Sequence, residues 1–404
     1  MSDKRDYGDG GIDERGKDRW RLRYRVDGKR HTKTVIGSIT DAKRELRRLL
    51  KSADDGEHVA PDAITLAAWI ERWIDLLERR QDGDEAPTRK RGLVNARTIE
   101  RYAELLRLHV VPTLGRRRIQ RLSATEIDAL YMTLEQKLSP RTVHHVHTVL
   151  GACLNAAVRK GLITSSPVAR AEAPSPGESD AGQVLDQDQL TVLLDGFRKS
   201  PLFAIVSIAA FTGMRRNEIL ALRWSDFDTA NKTLRIERAL EETKKHGRGT
   251  KEPKTERGKR SIAIDDGLAA LLCVEREKYL RIAAGVPEGM PVDVSLVKLP
   301  DEALVFPALP EPGEDFDFAK LRTPRNLTKE FTRRARKLGF PKLRFHDLRG
   351  THETMLLDAG VPVHVVAARC GHDPAVLLRT YAKRTKKADA NAAAVIGVWS
   401  RSLL

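Results

Sequence analysis

Between Trp20 and Val26 the apolar residues fall on every second position, with Trp20, Leu22, Tyr24 and Val26 alternating with Arg21, Arg23 and Arg25. That period belongs to a strand with one apolar face and one arginine face. Asp27-Gly28 is a favoured two-residue hairpin turn, and a second strand is predicted through Lys29, His31, Lys33 and Val35. A short helix is predicted from near Thr40, with Leu46, Leu49 and Leu50 covering the sheet. Residues 1–60 therefore read as a small βββα module.

From residue 64 the period changes to that of helices. Leu66, Trp69, Ile70, Trp73, Ile74 and Leu77 follow i, i+3, i+4, i+7 spacing and bury one face. Thr98 precedes a second helix carrying Tyr102, Leu105, Leu106 and Val110, ended by Pro112. Ser123-Ala124-Thr125-Glu126 is a capping box opening a third helix. Ser139-Pro140 opens a fourth, with proline at the first helical position. Trp and Tyr residues here read as core rather than as platforms for bases. Residues 64–172 thus form an all-helical domain, and the Pro-, Ser- and Gly-rich stretch from Pro167 to Gly182 is a linker.

Beyond residue 183 the pattern is mixed. Leu202 to Phe211 is an apolar helix broken at Thr212-Gly213. Strands are predicted at 233–238 and 260–264, joined by a mobile Lys-, Arg- and Gly-rich hairpin. Residues 283–320, rich in Pro and acidic side chains, read as a surface excursion with one apolar run, Ala303–Phe306, whose role is not legible.

Composition narrows the partners. The 404 residues allow two or three domains, and 72 Lys+Arg against 56 Asp+Glu give a formal charge of +16. Such a chain meets polyanions readily, because each neutralised phosphate releases counterions. The arginine face of the first strand fits a major groove, which admits a β-ribbon, and it equally fits a solvated face. Cys153, Cys273 and Cys370 are isolated, which argues against a zinc site or a disulfide framework and fits a reducing cytosol. Met1 to Gly10 has no apolar signal region, and no stretch reaches the ~18 apolar residues of a membrane span. The expected location is the cytoplasm.

Candidate chemistry lies in the C-terminal half. Thr212-Gly213-Met214-Arg215-Arg216-Asn217-Glu218, Pro253-Lys254-Thr255, His346-Asp347-Leu348-Arg349, Gly371-His372 and Tyr381 follow one another, with Trp224 between the first two. A phosphodiester resists attack because its oxygens are already negative and its alkoxide leaves poorly. A site must neutralise the growing charge and protonate the departing oxygen. Arg215 and Arg349 suit the first task, since a guanidinium grips two phosphate oxygens at once. Thr212-Gly213 breaks one helix, which is expected to place Arg215 in the first turn of the next. His346 and Arg349 are three apart and share a face. Glu218 is placed to orient Arg215, or to form an ordinary surface pair with it. Gly371 reads as a helix C-cap, and Asp373-Pro374 as the start of the helix that carries Tyr381. A phenol with a pKa near 10 needs cationic neighbours or a base to attack at neutral pH.

The order and spacing of these motifs resemble the tyrosine recombinases, or phage-type integrases. Residues 1–60 resemble the arm-binding domain of long integrases. The stretch Arg97 to Pro167, with His109-Val110-Val111-Pro112-Thr113-Leu114-Gly115, resembles their core-binding domain. The resemblance implies a multidomain chain, mainly α with small β-sheets: an arm-binding βββα module (1–60), a helical SAM-like core-binding domain (64–172) and a mixed α+β catalytic domain (183–404). It implies that Arg215, Lys254, His346, Arg349 and His372 surround the scissile phosphate. On the hairpin, the context decides for Lys254 over Lys251 and Lys259 as general acid. Tyr381 would form a 3′-phosphotyrosyl link, with neither metal nor cofactor.

The implied partners are double-stranded attachment sites, a homotetramer on DNA, a directionality factor and a DNA-bending host protein. Arg21, Arg23, Arg25, Lys29 and Lys33 are the DNA contacts expected of the first module. Ala392, Val395, Ile396 and Trp399 could dock into a neighbouring subunit or pack on their own chain. Gly350, Cys370, Gly258 and Lys259 depart from the family pattern without touching the six catalytic positions. The expected function is integration of a phage or other mobile element. A Xer-type host recombinase, a type IB topoisomerase and a non-catalytic DNA-binding protein are the alternatives, and the basic βββα module argues against the first.

Overall fold

The structure, a computed structural model, describes residues 10–26, 29–54, 63–82, 94–177, 182–253, 256–287 and 290–382. The chain divides into two compact units, residues 1–179 and 180–404. The first unit holds two separate apolar cores.

The smaller core is built by the predicted alternation. Strands β1 (Gly11–Glu14), β2 (Arg19–Val26) and β3 (Lys29–Ile36) form an antiparallel sheet in the order β1-β2-β3, followed by helix α1 (Ile39–Asp54). Ser38 and Asp41 cap α1 reciprocally, which starts it just ahead of Thr40. Leu22 and Tyr24 pack against Ala42, Leu46 and Leu49, and the Trp20 indole donates to the Gly37 carbonyl at 2.8 Å. The Asp27-Gly28 turn lies outside the described residues.

The register corrects one expectation. Val26 pairs with Lys29 and Leu22 with Lys33, so both lysines belong to the face turned towards α1. Lys33 is tied there to Glu45 of α1 at 2.7 Å. The outer face carries Arg19, Arg21, Arg23 and Arg25, opposite Ile36, Thr34, Thr32 and Arg30. Arg19, Arg21 and Arg25 are exposed, whereas Arg23 is half-buried and pairs with Asp13 at 2.6 Å.

The larger core belongs to helices α2 (Leu66–Asp82), α3 (Ala96–His109), α4 (Val111–Leu114), α5 (Ala124–Glu135) and α6 (Pro140–Arg159). Both expected caps form, at Ser123 with Glu126 and at Ser139 before Pro140. Helix α3 begins earlier than Thr98, behind Asn95. Pro112 does not end the helical course but sits in the first turn of α4, where its missing N–H costs nothing. The aromatic residues are core: Trp69 donates to the Cys153 carbonyl at 3.0 Å, and Trp73 stacks on Tyr102.

In the second unit, α7 (Gln187–Phe197) precedes α8 (Phe203–Thr212), which is apolar nearly all round and correspondingly buried. After the single turn α9 (Arg216–Ile219) come β4 (Phe227–Asp228), β5 (Thr233–Ile236), β6 (Ala239–Thr243), β7 (Gly247–Lys251) and β8 (Arg260–Ala263). β5 pairs directly with β8, and β6 with β7 forms the hairpin between them. Helices α10 (Asp266–Ala283), α11 (Pro324–Lys337), α12 (Asp347–Asp358), α13 (Val363–Cys370) and α14 (Pro374–Ala382) complete the unit.

The stretch 283–320 is not all surface. Ala303, Leu304, Val305 and Phe306 are buried, and they form backbone bonds from Trp224 N–H to Ala303 O (3.0 Å) and from Val305 N–H to Leu222 O (2.8 Å). The excursion thus returns an apolar run to the core beneath Trp224. Among the described residues no helix is long and apolar enough to cross a membrane.

Candidate active site

Two glycine turns bring the arginines together. Helix α8 ends at Gly213, whose φ of 64° is left-handed, and a Cβ there would lie 2.7 Å from His352 and 2.9 Å from the Cys370 sulfur. Helix α13 ends the same way at Gly371, φ 65°, where a Cβ would meet the Arg257 carbonyl at 2.9 Å. The carbonyls freed by these turns become anchors. Arg349 donates from Nη1 to Gly213 O and from Nη2 to Cys370 O, both at 2.6 Å, while Arg215 donates from Nη2 to Gly371 O at 2.9 Å.

Arg215 caps α9 rather than lying within a helical turn, and α9 is only one turn long. Its affinity for anions therefore rests on the guanidinium and not on a helix terminus. Glu218 holds it, accepting from the Arg215 backbone N–H at 2.9 Å and from Nη1 at 2.7 Å. The same buried carboxylate accepts from Arg260 of β8 at 2.8 and 3.2 Å. Burial alone pushes the Glu218 pKa up; the Arg260 hydrogen bond and the charges of Arg260 and Arg215 outweigh it and hold the group below its ordinary value.

Arg349 lies two residues into α12 with its side chain 2% exposed. Burial is the main cause drawing its pKa down, but a guanidinium stays charged in a protein. His346 stands at the N-cap of α12 with much of its surface open. Protein crowded around the ring lowers its pKa first, and the Arg349 charge adds to that. His372 keeps about a quarter of its side chain open (24%), and its Nε2 is 3.2 Å from Arg349 Nε.

Arg215, Arg349 and His372 are thus brought together, with His346 beside Arg349. Two expected members are not. Lys254 lies outside the described residues; of its neighbours, Lys251 pairs with Glu241 and Lys259 with Glu252. Tyr381 is placed, but not among the cations. Its hydroxyl donates to Asp358 Oδ1 at 2.8 Å. Asp358 ends α12, nine residues after Arg349, which is roughly 14 Å along a helix axis. Burial, and then the hydrogen bond to Asp358, raise the phenol pKa above its ordinary value. The docking segment expected at Ala392–Trp399 lies outside the described residues.

The sequence reading missed Arg260, Glu353 and Asp358. Glu353 is 4% exposed, and its Oε1 lies 3.1 Å from Arg349 Nε and 2.9 Å from His372 Nε2. Only Glu353 carried a local signal, one helical turn after Arg349. Cys370 is fully buried, and burial pushes its thiol up to about 11, so it serves packing rather than chemistry.

Comparison with known proteins gives the family. The phage integrase family model matches residues 183–388, and the phage integrase central domain matches residues 85–173. An integrase of Streptomyces ambofaciens is 25% identical over 419 residues, covering 99% of each chain. The Tn1549 transposon integrase, solved with a circular-intermediate DNA, superposes with a TM-score of 0.59 at 18% identity. That match covers 79% of this chain and 95% of that one. A lambda integrase tetramer bound to a Holliday junction matches with a TM-score of 0.52 at 15% identity, covering 92% of this chain and 94% of that one. These two likenesses show the fold.

Proposed function

The chain belongs to the phage integrase family, the tyrosine recombinases, and is a site-specific recombinase that cleaves and rejoins DNA; on that premise we propose that Tyr381 is its nucleophile and that Arg215, Arg349, His346, His372 and Lys254 serve the scissile phosphate. The observation that carries this reading is the convergence of Arg215, Arg349 and His372 on the two glycine turns. Permanent cations held in place beforehand stabilise charge that grows on the phosphoryl oxygens. Arg215, with 38% of its side chain open, presents the accessible guanidinium, and Arg349 braces the floor behind it.

In the proposed reaction the Tyr381 hydroxyl gives its proton to a histidine of the site as its oxygen bonds to phosphorus, the bond to the 5′ oxygen breaks, and Lys254 gives that oxygen a proton. The 3′-phosphotyrosyl link keeps the bond energy, so resealing needs no ATP, and cations of the protein stand where a metal clamp stands in other phosphoryl transfers. Tyr381 must first release Asp358, whether it then serves its own pocket or a neighbour's. Assembly as a homotetramer on two attachment sites brings such neighbours together. The fold shared with a lambda integrase tetramer on a Holliday junction supports that assembly.

The first module would bind accessory sites through Arg21 and Arg25. A directionality factor and a DNA-bending host protein would act on the same DNA, in the cytoplasm of the cell that carries the mobile element. The test uses a nicked duplex bearing the boundary sequence of that element. Wild-type protein forms a covalent adduct on a denaturing gel and Tyr381→Phe forms none. Adducts at normal yield from Tyr381→Phe would overturn the nucleophile assignment, and retarded DNA without cleavage by wild type would favour a non-catalytic regulator.

A further inference from the structure

Arg260 is a buried cation to which the chemistry above gives no task. It opens β8, and its side chain is 7% exposed. A charge so buried is costly unless it is paired and hydrogen-bonded. Its guanidinium meets Glu218 as a fork, Nη2 donating to Oε2 at 2.8 Å and Nη1 to Oε1 at 3.2 Å. Nη1 also donates to the Gly258 carbonyl at 3.1 Å, and Nε to the Arg369 carbonyl at 2.7 Å. A guanidinium has five N–H groups, and these four bonds leave one. A single buried N–H does not grip a phosphate, so Arg260 is no direct ligand of the DNA.

Arg215 is its complement. Nη1 of Arg215 donates to the same Glu218 Oε1 at 2.7 Å and Nη2 to the Gly371 carbonyl at 2.9 Å, yet 38% of the side chain is open. One carboxylate, 4% exposed, thus lies between a buried arginine and an open one. Charge counting separates their tasks. Glu218 brings one negative charge against two positive, so the trio keeps the net charge of one cation. Without Arg260 the carboxylate would fall to Arg215 alone, and that pair would offer a phosphate a dipole instead of a cation. The hold on Glu218 runs the same way. Burial raises its pKa, and among the causes that outweigh it the Arg260 hydrogen bond and charge come ahead of the Arg215 charge.

We propose that Arg260 is a positioning residue that neutralises Glu218, so that the carboxylate orients Arg215 without cancelling the charge Arg215 brings to the scissile phosphate. The proposal rests on the reading that Arg215 serves that phosphate. A carboxylate orients a guanidinium well, because it accepts strong, directional bonds from the N–H groups. Beside a reacting phosphate, however, its negative charge opposes the stabilisation that the arginine supplies. A second guanidinium behind the carboxylate removes the conflict. Arginine suits that place, since it stays charged when buried and its planar fork matches both carboxylate oxygens. The Gly258 and Arg369 carbonyls anchor Arg260 independently of Arg215. Arg215 can therefore turn to a ligand while Glu218 stays neutralised.

The test compares the nicked boundary duplex with one carrying a methylphosphonate at the scissile position, where a methyl group replaces one charged non-bridging oxygen. The ratio of the two single-turnover cleavage rates, phosphodiester over methylphosphonate at saturating DNA, reads how far positive charge serves that oxygen. Arg215→Ala should slow the phosphodiester by about 10²–10³-fold and the methylphosphonate much less, so the ratio falls. Arg260→Gln loses the charge and keeps an amide donor, and should lower the ratio by about tenfold. Arg260→Lys keeps the charge without the fork and should stay within about threefold of wild type. Glu218→Gln combined with Arg260→Gln removes both charges together and should recover most of the ratio that Arg260→Gln loses. A role confined to holding the Gly258 and Arg369 carbonyls would leave the ratio unchanged in Arg260→Gln, or would put Arg260→Lys and the double variant level with it; either result overturns the proposal. If Arg260→Gln does not fold, Arg260→Lys and the double variant decide, and a ratio in either as low as that of Arg215→Ala overturns it. An unchanged ratio in Arg215→Ala sinks the reading that Arg215 serves the phosphate, whereas a lowered ratio there beside an unchanged one in Arg260→Gln sinks this proposal alone.

Discussion

Arg215, Arg260 and Arg349 each lie against a buried carboxylate, and Arg215 and Arg349 also reach the carbonyls of glycine turns, whereas Arg19, Arg21 and Arg25 stand exposed on the outer face of β2. The same side chain is put to two uses. At the site, Glu218 takes up part of the Arg215 and Arg260 guanidiniums, and the Gly213 and Cys370 carbonyls part of Arg349, which fixes each plane and limits the ligand to the N–H groups left over. On the strand, the alternation of β2 sets which face the arginines share, and exposed side chains give up less rotamer freedom than buried ones. Fixed cations suit a transition state that must be met without reorganisation. Loose ones suit a phosphate backbone, where counterion release supplies affinity and register matters less.

The strongest way to break the contrast is to remove a brace. Glu218→Ala leaves Arg260, with its side chain 7% exposed, as a buried cation without its carboxylate. Breaking a buried pair from one side costs about 3–5 kcal/mol, so urea unfolding of the catalytic unit should lose that much. A loss below about 1 kcal/mol, the scale of an exposed pair, would show that the pocket is no more braced than the strand. The same carboxylate gives a pH signature. Its folded pKa is depressed, so its stabilisation is present in full above the ordinary carboxylate range near 4.3 and is lost as pH falls through the lower folded value. Wild-type stability should therefore fall on acidification in that range, and Glu218→Gln should flatten the fall.

Sequence reading reached the braces unevenly. Gly213 and Gly371 were legible because each follows an apolar helical run, and Glu218 because it is three residues from Arg215. Arg260 meets Glu218 from 42 residues away, and Asp358 meets Tyr381 across 23, so no local period announces either. The apolar run Ala303–Phe306 was visible, but its partners Leu222 and Trp224 lie some eighty residues earlier in the chain. On β3 the signal is local. A two-residue turn, as expected at Asp27-Gly28, implies that Val26 faces Lys29, and that parity puts Lys33 opposite Leu22 rather than among the arginines, as the observed register has it. Lys254 and Ala392–Trp399 lie outside the described residues, so the general acid and the docking segment rest on resemblance.

The tether between Tyr381 and Asp358 sharpens the comparison from the side of the site, since it holds the phenol away from the arginines. A hydrogen bond to a charged acceptor contributes about 1.5 kcal/mol at the lower end, equivalent to about tenfold in an equilibrium. Asp358→Asn weakens the bond and Asp358→Ala removes it. Covalent adduct formation on the nicked duplex should rise in that order, by up to about tenfold for the alanine. An unchanged rate would mean that release of the phenol is not part of the barrier.

The smallest effect is expected on the strand and tests the looseness of its arginines. Replacing both Arg21 and Arg25 by alanine should weaken binding to accessory-site duplex and lower the slope of log affinity against log salt by about two, roughly 0.9 for each phosphate no longer neutralised. Cleavage of a short core duplex lacking accessory sites should not change. Arg23 serves as the internal control, because its pair with Asp13 already occupies it on the same face. Arg23→Ala should leave the salt slope nearly as it is and cost at most about 1 kcal/mol of stability in the first module, as for a partly exposed pair. If Arg23→Ala shifts the slope as much as either neighbour, the ion pair opens on DNA, and the division between half-buried and exposed arginines does not hold within β2.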